Sequence, residues 1–581
     1  MELHAYTVTI SDLLSVNRKY IVPRFQREYS WTREQILELW NDIISNIKSD
    51  SNTNWLHEEY FIGSLVLVGD DRSTSMQIVD GQQRLTTLTI LLSALCEQFK
   101  TINKNNLANA IYENYIAGKN DDGDDFFKLE NESPKPFFQT RIQYIDKKVE
   151  VPPNTEEENT LFNAYQQLYL ETSRDNLKKR FPGFDLNDDI VYETLLKEIR
   201  EQIVRYLKVI FITVQEEDDA YTIFETLNAR GMNLSFVDLI KNQIFKDLKT
   251  EHPDDYAKTK WKRIRHTIGS RSNIGGLETF IRHWWISRYS YVSEDKVYKA
   301  FKTKWHQRSI NSNDFLEDLV KDIELYVKTS SPEYDDWRQQ EEKAIYQSLS
   351  ALRIFQVTQQ RPFILSLFKA KEKGVIKLTD LKQALIFIES FHFLFNAICS
   401  MRPSGIEGSY SKAARKLFEA ENRESVKEAV RELKGQFSSR IPSKEVFTDK
   451  FSKLKYTKKY TKDKLLVQYI FKYLELKEQG TSELQPYNMT LEHILSQSTG
   501  NEEFIGQMGN LLPLGQKLNN NEAGNDDPIS KLEVYKRSSF KMTQDFGNSN
   551  ITSWGEIEIT SRTDNLAEQC YEAWSSPFRT N

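Results

Sequence analysis

An apolar strand that runs through Asp-Gly straight into a helix is the feature that most constrains this chain. Met76–Val79 is a short extended run, Asp80-Gly81-Gln82-Gln83-Arg84 is a polar turn, and Leu85, Leu88, Leu92, Leu95 and Phe99 then recur at helical spacing. The first N–H groups of such a helix have no partner inside it and face whatever lies in front of the turn. Gly81 lets the backbone come close to a ligand. Gln82 and Gln83 suit the orientation of a water or a base edge, Arg84 offers a planar fork for phosphate oxygens, and Thr86 and Thr87 add hydroxyls. Spacing alone leaves two readings open: a capped helix after a tight turn, or a site for an anion such as a nucleotide phosphate.

Upstream, Ile21–Trp31 (IVPRFQREYSW) holds Arg24, Gln26, Arg27 and Glu28 between Pro23 and Trp31, and Pro23 biases Val22 to an extended shape. Thr32 and Gln35 read as a capping box for a helix with Ile36, Leu39, Trp40 and Ile43 on its apolar face. Tyr60–Val68 is a strand expected to form a hairpin with Met76–Val79 across the loop Gly69–Ser75. Val209–Val214 is continuous enough to be a strand buried on both faces. A helix follows with Ala220, Ile223, Phe224 and Leu227 on its core face and Gly231 as its stop. Ser235 with Asp238 reads as the capping box of another helix that ends near Leu248.

From Lys249 to Gly480 the pattern is helical almost throughout, and Trp284 and Trp285 read as buried packing more readily than as base-stacking platforms. Phe451–Lys464 (FSKLKYTKKYTKDK) carries six lysines, among them Lys455, Lys458, Lys459 and Lys462, interleaved with Tyr456 and Tyr460. Lysines mixed with aromatics suit a nucleic-acid backbone. A solvated loop is the competing reading, and the position just upstream of the next motif favours DNA contact. That motif is Thr490–Gln497 (TLEHILSQ), where Glu492 and His493 sit in a short apolar strand, followed by MGNLLPL at Met508–Leu514 and QKLNNNEAGNDDPISKLEVY at Gln516–Tyr535. Taken alone, one His in an apolar strand is more often structural than catalytic.

Composition narrows the classes. With 39% hydrophobic and 28% charged residues over 581 positions, the chain is globular and long enough for several domains. A net charge of −6 means that nucleic-acid binding must use local basic patches. Cys96, Cys399 and Cys570 lie far apart, which argues against a disulfide framework or a cysteine zinc site and fits a reducing compartment. Met1–Asp12 has neither a basic start nor an apolar run. The most apolar segment, Ala384–Cys399, carries Glu389, His392 and Asn396, as a buried helix does and a membrane span does not. A cytoplasmic protein with no membrane partner is expected. No GxxxxGK[ST] occurs, so a P-loop motor is excluded.

The DGQQR turn followed by LTTL, together with Ile21–Trp31 and Ile223–Asn242 (IFETLNARGMNLSFVDLIKN), resembles the N-terminal domain of GmrSD-type, modification-dependent restriction systems. The resemblance implies a ParB-like core that binds and hydrolyses a nucleoside triphosphate, GTP or ATP, through Gln26, Arg27, Asp80, Gly81, Gln82, Gln83, Arg84, Thr86, Asn228 and Arg230. The EHI, GNL, Asn and Lys positions over roughly Tyr487–Cys570 resemble the HNH (ββα-metal) nuclease domain of the same systems. That implies His493 as general base, Asn510 holding its ring or shaping the turn, and Glu492 with Asn519 holding Mg²⁺ or Mn²⁺. Lys531 would contact phosphate or structure the helix. Ser496 stands where relatives often have Pro and Pro513 where they often have Thr, and the Asn519-Asn520-Asn521 run leaves the metal ligand open by a residue.

The expected fold is α+β and mostly helical. A ParB-like α/β domain would span 1–248, a helical linking or sensing region 249–480, and an HNH-like domain 481–581. The expected function is a nucleotide-regulated endonuclease of anti-phage defence that nicks or cuts modified phage DNA; a homo-oligomer is left open. The alternatives are a nucleotide-binding sensor with a silent nuclease, and an RNA-directed, growth-arresting nuclease.

Overall fold

Apolar runs scattered over the first 214 residues collect into one six-stranded mixed sheet. In the computed structural model, which describes residues 3–23, 26, 28–51, 54–70, 73–132, 136–147, 151–216, 220, 223, 235–248, 256–480, 489–498, 502–524 and 526–579, its strands are β1 (Leu3–Thr9), β2 (Lys19–Val22), β3 (Tyr60–Val68), β4 (Ser75–Asp80), β5 (Leu129–Asn131) and β6 (Leu207–Val214). They lie in the order β1-β6-β3-β4-β2-β5. β6 runs antiparallel to β1 and parallel to β3, which accounts for its near-continuous apolar sequence. β3 and β4 form the expected antiparallel pair, and β4, β2 and β5 run parallel.

Helix α1 (Arg33–Ser45) starts at the Thr32–Gln35 capping box and buries Ile36, Leu39, Trp40 and Ile43, as its spacing predicts. Helix α2 (Gln82–Thr101) begins three residues earlier than the apolar spacing indicates. The polar turn shrinks to Gly81, whose φ of +92° is open to glycine at little cost. A Cβ there would lie 2.7 Å from Leu65 Cδ1 and 3.1 Å from the Ser64 carbonyl, so the helix start rests directly on β3. Helix α3 (Phe236–Asp247) is capped by Ser235, whose hydroxyl accepts from the Val237 N–H at 3.2 Å. The elements up to α3 belong to one compact unit, Met1–Lys249.

The second unit, Thr250–Asn581, is a helical assembly with a single two-stranded hairpin among the described residues. Its core does not stop at position 480. Residues of α4 (Leu378–His392), α5 (Lys444–Phe451) and α6 (Lys464–Gln479) share one apolar cluster with Leu491, Met508, Leu511 and the inner face of α8 (Glu556–Ser575). Trp284 and Trp285 are fully buried, and the Trp284 Nε1–H donates to Asp322 at 2.9 Å, so neither is a stacking platform. Glu389 and His392, which argued against a membrane span, are buried and hydrogen-bonded. No helix among the described residues is long and apolar enough to cross a membrane.

Buried His392 gives this core a pH dependence. Its Nδ1 bonds to Asn396 Oδ1 at 2.6 Å and its Nε2 to the Tyr410 hydroxyl at 3.0 Å, and desolvation lowers its pKa to about 4. The unfolded chain, with His near 6.5, takes up a proton more readily, so stability is intact above pH 6.5 and falls as pH drops towards 4. The loss should reach ~3 kcal/mol at pH 4. In thermal unfolding scans from pH 7 to 4, His392→Gln should show a flatter decline in Tm than the parent chain.

Candidate functional site

The hairpin of β7 (Met489–His493) and β8 (Leu511–Gly515) pairs Glu492 with Leu512 and His493 with Leu511. Side chains alternate across a strand, so Glu492 and His493 face opposite sides. Glu492 points to the short helix α7 (Leu532–Tyr535) and the residue before it. Its Oε1 accepts from Lys531 Nζ at 2.8 Å and from the Tyr535 hydroxyl at 3.1 Å. Lys531 is 1% exposed and also donates to the carbonyls of His493 at 2.9 Å and Ile494 at 3.3 Å. Of the two roles expected for Lys531, phosphate contact is therefore displaced: the ammonium lies inside the protein and holds the end of β7.

Asn510 is fully buried, and none of its side-chain hydrogen bonds goes to the His493 ring. Its Oδ1 accepts from the Leu495 N–H at 2.8 Å and the Trp554 indole at 3.2 Å, and its Nδ2 donates to the carbonyls of Leu495 at 3.0 Å and Ile505 at 2.8 Å. Two of these four bonds hold the turn after β7 at Leu495, and the other two tie it to Ile505 and Trp554.

His493 faces the basic loop between α5 and α6. Its Nε2 lies 2.9 Å from the Tyr456 carbonyl, and the Tyr456 ring stacks on the imidazole at 5.7 Å. Its Nδ1 lies 3.2 Å from Gln497 Nε2, while Gln497 Oε1 accepts from the Lys458 N–H at 2.9 Å. These contacts fix the tautomer. A carbonyl only accepts, so Nε2 carries the proton; an amide NH₂ only donates, so Nδ1 keeps its lone pair. Burial, with Lys531 and Lys458 nearby, lowers the His493 pKa and favours the neutral ring. The imidazole is thus a neutral base with one defined basic nitrogen.

The expected metal ligands, Glu492 and Asn519, each keep one side-chain oxygen outside their hydrogen bonds among the described residues. Both bonds to Glu492 fall on Oε1, and Oε2 has no hydrogen-bond partner among the described residues. Asn519 donates from Nδ2 to Thr490 Oγ1 at 2.9 Å, and its Oδ1 is likewise without a partner among the described residues. Thr490 and Glu492 share a face of β7, so both oxygens belong to the same side of the hairpin. Two oxygens suit a hard cation such as Mg²⁺ that retains most of its waters. No three His, Cys, Asp or Glu residues cluster among the described residues, which leaves no alternative site of that kind. The side chains of Asn520 and Asn521 lie outside the described residues.

Of the expected DNA-binding lysines, Lys458, Lys459 and Lys462 are exposed, and Lys455 is half-buried and bridges to Gln507. Sequence reading placed this loop near the hairpin only by order along the chain. It missed the Tyr456 carbonyl and Gln497, although Gln497 stands four residues after His493 in the TLEHILSQ motif.

In the Met1–Lys249 unit the three motif stretches meet. Gln26 Nε2 donates to the carbonyls of Ile78 at 3.3 Å and Val79 at 3.4 Å, which docks the first stretch on the end of β4. Gln83 brackets it, accepting from the Ser30 N–H at 2.9 Å and donating to the Glu28 carbonyl at 3.2 Å. Lys241 on α3, buried, reaches the Gln26 carbonyl at 3.5 Å. Lys241 was present in the third stretch, but nothing in its spacing singled it out.

Two expected ligand groups are turned inward. Arg84 spends its fork on the protein, Nη1 donating to the Ile62 carbonyl at 2.9 Å and Nη2 pairing with Asp80 at 3.1 Å. Gly63, at φ +109°, makes room for it: a Cβ there would sit 1.8 Å from Arg84 Nη1. Thr86 is fully buried. Gln82, nearly buried, and the N-terminus of α2 remain at the strand–helix joint with Gly81. Arg27, Asn228 and Arg230 lie outside the described residues.

The Lys531–Glu492 pair yields a direct check. Breaking a buried ion pair strands a charge and costs about 3–5 kcal/mol. Lys531→Met should lower stability by about 3 kcal/mol in denaturant titration, and adding Glu492→Gln should recover part of the loss. A lysine that served DNA alone would leave both midpoints at the parent value.

Two family models match the chain: the N-terminal domain of the GmrSD restriction endonuclease over residues 10–245, and the C-terminal domain of GmrSD restriction endonucleases over residues 441–569. The first contains the strand–helix joint and the second contains the hairpin with its basic loop. No curated protein matches the chain. The two matches together cover well over half of its length, in the order expected for one protein, and the chain belongs to the GmrSD family of restriction endonucleases, DNA-cutting enzymes of restriction defence.

Proposed function

We propose that this restriction endonuclease cuts modified foreign DNA at the β7–β8 hairpin with His493 as general base, under the control of a nucleoside triphosphate bound by its N-terminal unit. The observation that carries the nuclease half is the neutral His493 ring, held in one tautomer beside a lysine-rich loop.

In this reading the exposed lysines Lys458, Lys459 and Lys462 bind the sugar-phosphate backbone and lead it towards His493. Nδ1 takes a proton from a water as the water oxygen bonds to phosphorus. The P–O bond to the leaving sugar oxygen breaks, and that oxygen takes its proton from solvent. Burial keeps His493 neutral before the step, and the Tyr456 carbonyl favours the imidazolium that forms after it. Glu492 Oε2 and Asn519 Oδ1 would hold Mg²⁺ or Mn²⁺ on the face of β7 opposite His493, out of line with the phosphate that His493 addresses. Asn510 and Lys531 act on the backbone: they keep the end of β7 and the turn after it in place.

The N-terminal unit would take the triphosphate at the start of α2, where Gly81 allows close approach and the first helical N–H groups suit an anion. Gln26 and Gln83 tie the facing loop to that position, and Lys241 adds a cation beside it. A nuclease in the cell that made it needs a gate, and differential affinity of the triphosphate for two states would provide one.

The test is cleavage of unmodified plasmid and of naturally modified phage DNA, with Mg²⁺ or Mn²⁺ and with or without GTP or ATP. Cutting of the modified DNA alone, abolished by His493→Ala and altered by nucleotide, is the expected result. Equal cutting of both DNAs would remove the modification claim, and indifference to every nucleotide would remove the gate. Cutting of RNA alone, or none with His493→Ala fully functional in phage defence, would replace the DNA-nuclease reading.

A further inference from the structure

The loop that carries the lysines is fastened to the hairpin region at three places. Lys455 and Gln507 form an antiparallel bridge, within which the Tyr456 N–H donates to the Gly506 carbonyl at 2.8 Å, and the Tyr456 carbonyl accepts from His493 Nε2 at 2.9 Å. The Lys458 N–H donates to Gln497 Oε1 at 2.9 Å. The loop is stiffened within itself where the Thr457 N–H meets the Tyr460 carbonyl at 3.0 Å and the Tyr460 N–H meets Thr457 Oγ1 at 3.0 Å. Both nitrogens of His493 are therefore set by the same loop: Nε2 directly, and Nδ1 through the Gln497 carboxamide, whose orientation the Lys458 N–H dictates.

A base of this kind needs its lone pair to meet a water, yet here an amide NH₂ occupies that direction. The contact is long for a hydrogen bond, 3.2 Å from nitrogen to nitrogen, and Gln497 is only half-buried. An amide pinned at its oxygen keeps two N–H groups on the ring side, and it pivots about that anchor at small cost. A water entering between them would accept from the amide and donate to Nδ1, the arrangement that points its oxygen away from the base.

We propose that Gln497 is a positioning residue of the nuclease site: anchored by the Lys458 N–H, its amide places the attacking water against His493 Nδ1, so that the base is competent only when the lysine-rich loop is seated. The inference rests on the nuclease reading above and deepens it. It assigns the basic loop two separable parts. The lysine side chains hold nucleic acid, and the backbone at Tyr456 and Lys458 sets the tautomer and the water.

Two measurements test it. In cleavage of DNA at saturating metal, Gln497→Met, close in size but without polar atoms, should lower kcat about 100-fold, the usual scale for a mispositioned proton transfer, with KM and DNA affinity within about twofold of the parent. Lys458→Ala keeps the N–H and removes the charge, so it should weaken DNA binding and its salt dependence while the His493 tautomer stays that of the parent. A parent-like kcat for Gln497→Met, or a loss confined to KM, overturns the proposal. The second measurement needs no cleavage. With ¹⁵N-histidine in the full-length chain and the signal assigned by its loss in His493→Ala, His493 should be the Nε2–H tautomer in the parent. In Gln497→Glu, where a carboxylate can only accept, it should become the Nδ1–H tautomer or the imidazolium. A parent ring protonated on Nδ1, or a tautomer indifferent to Gln497→Glu, overturns the proposal even if the DNA is cut. A chain that shows both expected tautomers and cuts no DNA keeps the geometry and refutes the nuclease reading instead.

Discussion

The Lys531 ammonium, almost wholly removed from water, ties the Glu492 carboxylate to the carbonyls of His493 and Ile494, and the aim of His493 depends on that knot. A buried lysine is costly unless its donors are used and its charge is matched, and here both conditions are met within two residues of strand. The pair contributes little to stability as a pair. Its effect is on place: it defines where β7 stops, and Asn510 then holds the turn with two bonds to Leu495 and ties it to Ile505 and Trp554 with two more. His493 is left to project from a rigid strand end towards the loop whose Tyr456 carbonyl accepts from its Nε2.

The N-terminal unit uses the same device in another form. Arg84 and Asp80 lie four residues apart across the strand–helix joint, and the arginine reaches past Asp80 to the Ile62 carbonyl on the neighbouring strand. Gly63 must lack a side chain for that contact to exist, and Gly81 must lack one for α2 to begin against β3. A charged group that reads as a ligand in the sequence thus serves as the brace of the joint. Among the described residues, the groups left at the joint are the first backbone N–H groups of α2 and the Gln82 amide, with the Lys241 ammonium at the Gln26 carbonyl.

Much of this was readable from residue order. The Thr32–Gln35 cap, the β3–β4 hairpin, the doubly buried β6 and the helical character of the second unit all follow from local rules, since caps and apolar periods act within a few residues. The helix start at Gln82 was misplaced because polar residues in a first turn carry no apolar signal. The inward turn of Arg84, Thr86 and Lys531 was not readable. Whether a charge faces water or a partner depends on residues 22 to 39 positions away, and a lone sequence does not display such pairs.

What the sequence by itself determined was the address of two motifs: a strand–Asp-Gly–helix joint, and a strand bearing Glu492 and His493 downstream of a basic loop. It determined these because the motifs are contiguous and strand, turn and helix signals act within a few residues. Only the tertiary structure decided which nitrogen of His493 carries the proton, because the deciding partners, the Tyr456 carbonyl and the Gln497 amide, come from different segments and act through direction as much as identity. A hydrogen bond has a donor and an acceptor end, and that polarity exists only once the chain has folded the two ends together.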